Sequence, residues 1–121
     1  MSLPQHVCTL SGIPRSAGEA RDALVAFLDG ADEYTPSRRM DALLALSELV
    51  ADAEQNSAGI RNLTVRTYQN TLELTLEYRP GARTAPHAGL GWNIVSAVAR
   101  AVTLTTPRDT GGRARVLMDL A

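Results

Sequence analysis

The sequence is poor in the residues that build covalent or metal cross-links. It has one cysteine, Cys8, which excludes an intrachain disulfide, and two histidines, His6 and His87, too far apart along the chain to suggest a Cys/His metal site. No apolar run approaches the ~20 residues that a helical membrane span needs, so no membrane role is expected. The opening Met1-Ser2-Leu3-Pro4-Gln5-His6 has neither the basic start nor the apolar stretch of a signal peptide, and a cytoplasmic location is the expectation. A formal charge of -1 gives no broad pull toward nucleic acid, which is not expected as a partner. Repeats and low-complexity tracts are absent too. What is present fits a folded chain with one core: 121 residues, 45% hydrophobic and 21% charged, read as a single domain spanning 1–121.

Hydrophobic spacing divides the chain into elements. His6 to Leu10 is short and β-prone, and Ser11-Gly12-Ile13-Pro14 is expected to end it in a turn. From Ser16 to Asp29 the residues Ala17, Ala20, Leu24, Phe27 and Leu28 recur at helical steps, which predicts an amphipathic helix. Thr35-Pro36-Ser37 then offers a capping hydroxyl with proline at the first helical position. A second helix follows through Met40, Leu43, Leu44, Ser47 and Val50 to about Asn56, with Gly59 as its stop. The period changes to alternation at Leu63 and Val65 and again along Leu72, Leu74, Leu76 and Tyr78, with a hairpin turn at Gln69-Asn70. Arg79 to Gly91 has no period and is rich in proline, glycine and alanine, so a mobile loop is predicted. A third helix is expected over Trp92 to Val102, then two strands, Thr103 to Thr106 and Ala114 to Leu120, around the turn Arg108 to Gly112. This order predicts an α+β fold, a two-layer sandwich with helices on one face of a mainly antiparallel sheet.

Two features could carry chemistry. Glu48 and Asp52 stand one turn apart on one face of the second helix, a spacing that suits a hydrated Mg²⁺ and equally suits a solvated acidic face. Gly89-Leu90-Gly91, directly before a helix, would let backbone amides approach a phosphate at the helix N-terminus, or would only relieve backbone strain. Trp92 and Cys8 read as core residues, and the two histidines as surface residues.

The order of these features resembles the GHKL (Bergerat-fold) ATPases, whose domain is that of the histidine kinases, and most closely their anti-sigma-factor serine kinase branch. The resemblance spans roughly Ile13 to Leu120. The family's helix motif, Glu-Leu-Val-x-Asn-Ala-x-x-His, aligns with Glu48-Leu49-Val50-Ala51-Asp52-Ala53-Glu54-Gln55-Asn56. Its Gly-x-Gly-Leu-x-x-Val motif aligns with Gly89-Leu90-Gly91-Trp92-Asn93-Ile94-Val95. The resemblance implies ATP and Mg²⁺ as cofactors, Glu48 as the catalytic base, Asp52 as the metal ligand, and Asp52, Tyr78, Gly89 and Gly91 around the nucleotide. It implies a sigma factor or an anti-sigma-factor antagonist as partner, and a homodimer formed through the N-terminal strand and first helix.

One departure bears on function. Where the family ends its central strand with an Asp that reads the adenine amino group, this chain has Tyr78, and alternation along the strand turns the neighbouring Glu77 to the opposite face. The expectation is a regulatory protein-binding module with impaired or lost ATP binding, which would use no cofactor. The alternative is an active ATP-dependent anti-sigma-factor serine kinase.

Overall fold

The computed structural model describes residues 8–14, 16–29, 35–56, 60–68, 70–79, 90–105 and 112–119. Eight elements follow one another: β1 (Cys8–Gly12), α1 (Ala17–Asp29), α2 (Pro36–Asn56), β2 (Ile60–Tyr68), β3 (Thr71–Tyr78), α3 (Leu90–Val98), β4 (Ala101–Thr105) and β5 (Gly112–Asp119). The strands form one five-stranded sheet in the order β1-β2-β3-β5-β4, and every neighbouring pair is antiparallel. The α+β two-layer sandwich expected from the periodicity is therefore the fold.

Both long helices start at residues suited to a helix N-terminus. Ser16 accepts a hydrogen bond from the Glu19 amide at 3.1 Å, the first half of a capping box of the Ser-x-x-Glu form. Thr35 precedes Pro36, and the Thr35 carbonyl accepts from the Arg39 amide at 3.0 Å, so proline sits where its missing N–H costs nothing. An ion pair between Arg39 and Asp29 ties the start of α2 to the end of α1.

The core lies between the helices and one sheet face. Ala20, Leu24 and Leu28 of α1, Leu46, Leu49 and Val50 of α2, and Val95 of α3 are all buried in one cluster. The sheet supplies Leu63 and Val65 from β2, Leu72, Leu74 and Leu76 from β3, and Val116 and Met118 from β5 to the same cluster. α2 packs against α1, α3, β2 and β3 and is the central helix of the layer. None of the described helices is long and apolar enough to cross a membrane.

Several boundaries differ from expectation. β1 continues through Ser11 and Gly12, paired to Thr64 and Leu63, because a partner strand supplies the ladder that a Ser-Gly pair would not hold alone. α3 starts at Leu90 and ends at Val98, so Gly91 lies in its first turn and Val102 belongs to β4. The Arg100 amide donates to the Leu117 carbonyl at 2.8 Å, and this pairing with β5 outcompetes further helix. The predicted loop lies outside the described residues over 80–89, and the turn predicted over 108–112 lies outside them over 108–111, while Gly112 belongs to β5.

The opposite sheet face carries the polar residues that alternation predicts, and two of them on β3, Thr71 and Glu73, are buried. Glu73 is only 6% exposed although no described element covers it. Arg115 pairs with its carboxylate at 3.1 Å, and the Tyr68 hydroxyl donates to it at 3.2 Å. Burial alone would raise the Glu73 pKa, but the Arg115 hydrogen bond and charge, the Tyr68 hydroxyl and the charge of Arg66 together hold it below 4.5. Because the folded state is harder to protonate than the unfolded one, the carboxylate contributes stability above pH 4.5 that is lost as pH falls through the folded value. Urea unfolding measured against pH should show this acid-side loss in the native chain and a smaller one in Glu73→Gln. Equal pH slopes for the two proteins would contradict the assignment.

Candidate functional site

The fold brings two of the five sequence-predicted site residues together beneath α2. Asp52 sits near the end of α2, whose helical period turns it inward, and it is 9% exposed. Tyr78 is the last residue of β3 and shares the helix-facing side with Leu72, Leu74 and Leu76, at 3% exposure. Burial raises the Tyr78 hydroxyl well above the ordinary phenol range, and the negative charge of Asp52 raises it further. The phenol is therefore neutral and a donor at every physiological pH, and the two side chains share one low-dielectric space.

A β-bulge shapes the sheet beside this pair. Ile60 pairs with Tyr78 and Asn62 with Glu77, which leaves Arg61 as the extra residue of β2. Without it, alternation from Leu63 and Val65 would turn Ile60 to the outer face; with it, Ile60 is buried in the core opposite Tyr78. Arg79 then donates from Nε to the Ile60 carbonyl at 3.4 Å, holding the ends of β2 and β3 together. Nothing in the sequence marks Arg61 as a bulge, since bulges are set by pairing across strands.

Glu77 does face away from the helices, where its carboxylate pairs with Arg113 at 3.1 Å. It cannot replace an inward-facing carboxylate at position 78. Glu48, one turn before Asp52, is half-buried and makes no hydrogen bond or ion pair among the described residues. Gly91 lies in the first turn of α3, whereas Gly89 lies outside the described residues. Among the described residues no group of three or more His, Cys, Asp or Glu side chains converges as a metal site. A buried tyrosine ring takes up the inward position at the end of β3.

Compared with known proteins, the chain matches no family model and no curated protein.

A concavity lies at the sheet edge. A cleft of about 110 Å³ is bounded by Gly12, Ile13 and Pro14, by Glu19, Ala20 and Ala23 of α1, and by Leu63 of β2. Gly12 occupies an inward-facing position opposite Leu63, and a Cβ added there would meet nothing within 4 Å. The cleft is thus the space of a missing side chain. Ile13 stands at its lip with 58% of its surface exposed.

Proposed function

We propose that this chain is a regulatory protein-binding module on an anti-sigma-factor-kinase-type ATPase domain whose nucleotide site is impaired, acting in the cytoplasm on a sigma factor or its antagonist. The observation that carries the reading is Tyr78, buried beside Asp52 at the place where the resemblance implies an adenine-reading carboxylate. A site built to hydrogen-bond one ligand edge discriminates strongly against losing a partner, and here the acceptor is replaced by a ring. Glu48 is the residue that favours the second reading, an active serine kinase, because it is half-buried and makes no ion pair among the described residues. Calorimetric titration with Mg-ATP separates the two. The expected result is no saturation below about 1 mM, or less than roughly 4 kcal/mol of binding. Micromolar binding by the native chain would promote the kinase reading.

The partner half of the proposal includes a homodimer through β1 and α1. β1 is an edge strand, and edges left open invite pairing. The exposed Ile13 beside the Gly12 cleft offers a knob and a hole on one surface, as a two-fold contact requires. Sedimentation equilibrium should give two chains per particle. A monomer at tens of micromolar would remove the dimer and leave the nucleotide reading untouched.

A further inference from the structure

Of the three large apolar side chains exposed among the described residues, two stand one turn apart on α2: Met40 at 67% and Leu44 at 42%. α2 is the central helix, packed on the sheet beneath it and on α1 and α3 at its sides, so one side of it faces outward. The helical period puts Met40, Leu44, Ser47 and Ala51 along the midline of that side, at steps of four, three and four residues, over about 16 Å. No charged residue interrupts this line. Ser47 donates its hydroxyl to the Leu43 carbonyl at 2.8 Å, so the polar member of the line is satisfied within its own helix. A helix whose outer side meets only water keeps that side polar.

The charge that borders the line has one sign. Asp41 and Glu48 lie along one flank and Glu54 on the other, and none of the three makes an ion pair among the described residues. The arginines of the helix layer are placed elsewhere. Arg39 is paired with Asp29, Arg38 is half-buried and falls nearly opposite Met40 round the helix, and Arg21 belongs to α1. In all, α1, α2 and α3 contain seven carboxylates and three arginines, and of those carboxylates only Asp52 is buried.

We infer that the outer side of α2 is a docking surface for a basic amphipathic helix of a partner protein. A helix is the matching shape, because apolar side chains at three- and four-residue steps interlock with the same spacing on a facing helix. Ser47 and Ala51 are small and leave room for larger side chains of the partner, while the flexible Met40 adapts to their outline. The three flanking carboxylates select lysine or arginine beside the partner's apolar stripe. A second copy of this chain is the poorer occupant, since its α2 would set three carboxylates against three with no arginine in either stripe. Nucleic acid and acidic lipid are repelled for the same reason.

Docking on α2 needs no nucleotide, and the test is run without ATP. The probe is a synthetic peptide of about 20 residues with leucine at three- and four-residue steps and lysine at the flanking positions, titrated into the full chain by fluorescence anisotropy and NMR. Saturable binding is expected, with amide shifts concentrated in α2. Affinity should fall several-fold between about 0.05 and 0.5 M salt, because the flanking charges are screened. Met40→Ala with Leu44→Ala should weaken binding about tenfold or more, because both apolar anchors are lost. Asp41→Asn with Glu54→Gln should weaken it several-fold at low salt and little at high salt. Ile13→Ala, which removes the third exposed apolar residue, should leave it unchanged. A peptide of the same composition in an order without helical period should bind several-fold more weakly. Thermal unfolding checks that each variant is folded. No binding at low salt, equal binding of the reordered peptide, shifts mapping to the sheet, or equal losses in Ile13→Ala and the Met40/Leu44 double variant would overturn the inference. Self-association abolished in that double variant would replace the partner with a second copy, and binding to zwitterionic phospholipid vesicles abolished in it would replace the partner with a membrane surface.

Discussion

Changing Tyr78→Asp together with Asp52→Asn should convert a chain that does not saturate with Mg-ATP below about 1 mM into one that binds it at least tenfold more tightly. The aspartate would restore a charged acceptor at the inward-facing end of β3, worth about 1.5–3 kcal/mol when it meets the adenine amino group. Removing the phenol also frees the volume that the ring fills. The second substitution is needed for a reason visible only in the fold. Asp52 is buried near Tyr78 and its charge already acts on the hydroxyl, so an aspartate at 78 would place two carboxylates in one low-dielectric space. One of them would have to bind a proton or destabilise the domain. Tyr78→Asp alone should therefore be less stable than the double variant and recover less affinity. Calorimetry with ATP, and GTP as a control, reads both effects. A well-folded double variant that binds neither nucleotide would mean that the pocket is lost beyond Tyr78, and the impaired-site reading would have to give way to a domain never arranged for ATP.

Leu74→Ala should cost about 3 kcal/mol of folding stability, within the 2–5 kcal/mol typical of a buried leucine cut to alanine. Leu74 lies at the middle of the central strand, fully buried, with Val65 of β2 on one side and Val116 of β5 on the other. Truncation removes the transfer free energy of the lost methyls and leaves a cavity that fixed neighbours on both strands cannot close. Since small domains are stable by only about 5–15 kcal/mol, the effect is a large fraction of the whole. Ile13→Ala, at an exposed position, should change monomer stability by no more than about 0.5 kcal/mol. Urea midpoints at constant slope measure both. A loss below about 1 kcal/mol at Leu74 would show that the layers repack freely and that the core is less tightly specified than its burial implies.

The sequence by itself determined the elements that announce themselves locally. The period of Ala20, Leu24 and Leu28 is one helical face however the rest of the chain is arranged. Thr35-Pro36 marks a helix start because the backbone constraint is carried by the residue itself. The alternation of Leu72, Leu74, Leu76 and Tyr78 fixed which side of β3 would be buried, and with it the inward placement of Tyr78 and the outward placement of Glu77. Only the tertiary structure decided the rest, because pairing across strands has no local signature. The strand order that puts β5 between β3 and β4, the extension of β1 through Ser11 and Gly12, and the bulge at Arg61 that turns Ile60 inward are all set by hydrogen bonds to residues distant in the chain. The burial of Glu73 has the same origin. Read along β3 it is one polar residue in an alternating strand, and it becomes a buried anion only when β2 brings Tyr68 and Arg66, and β5 brings Arg115, to the same patch of sheet.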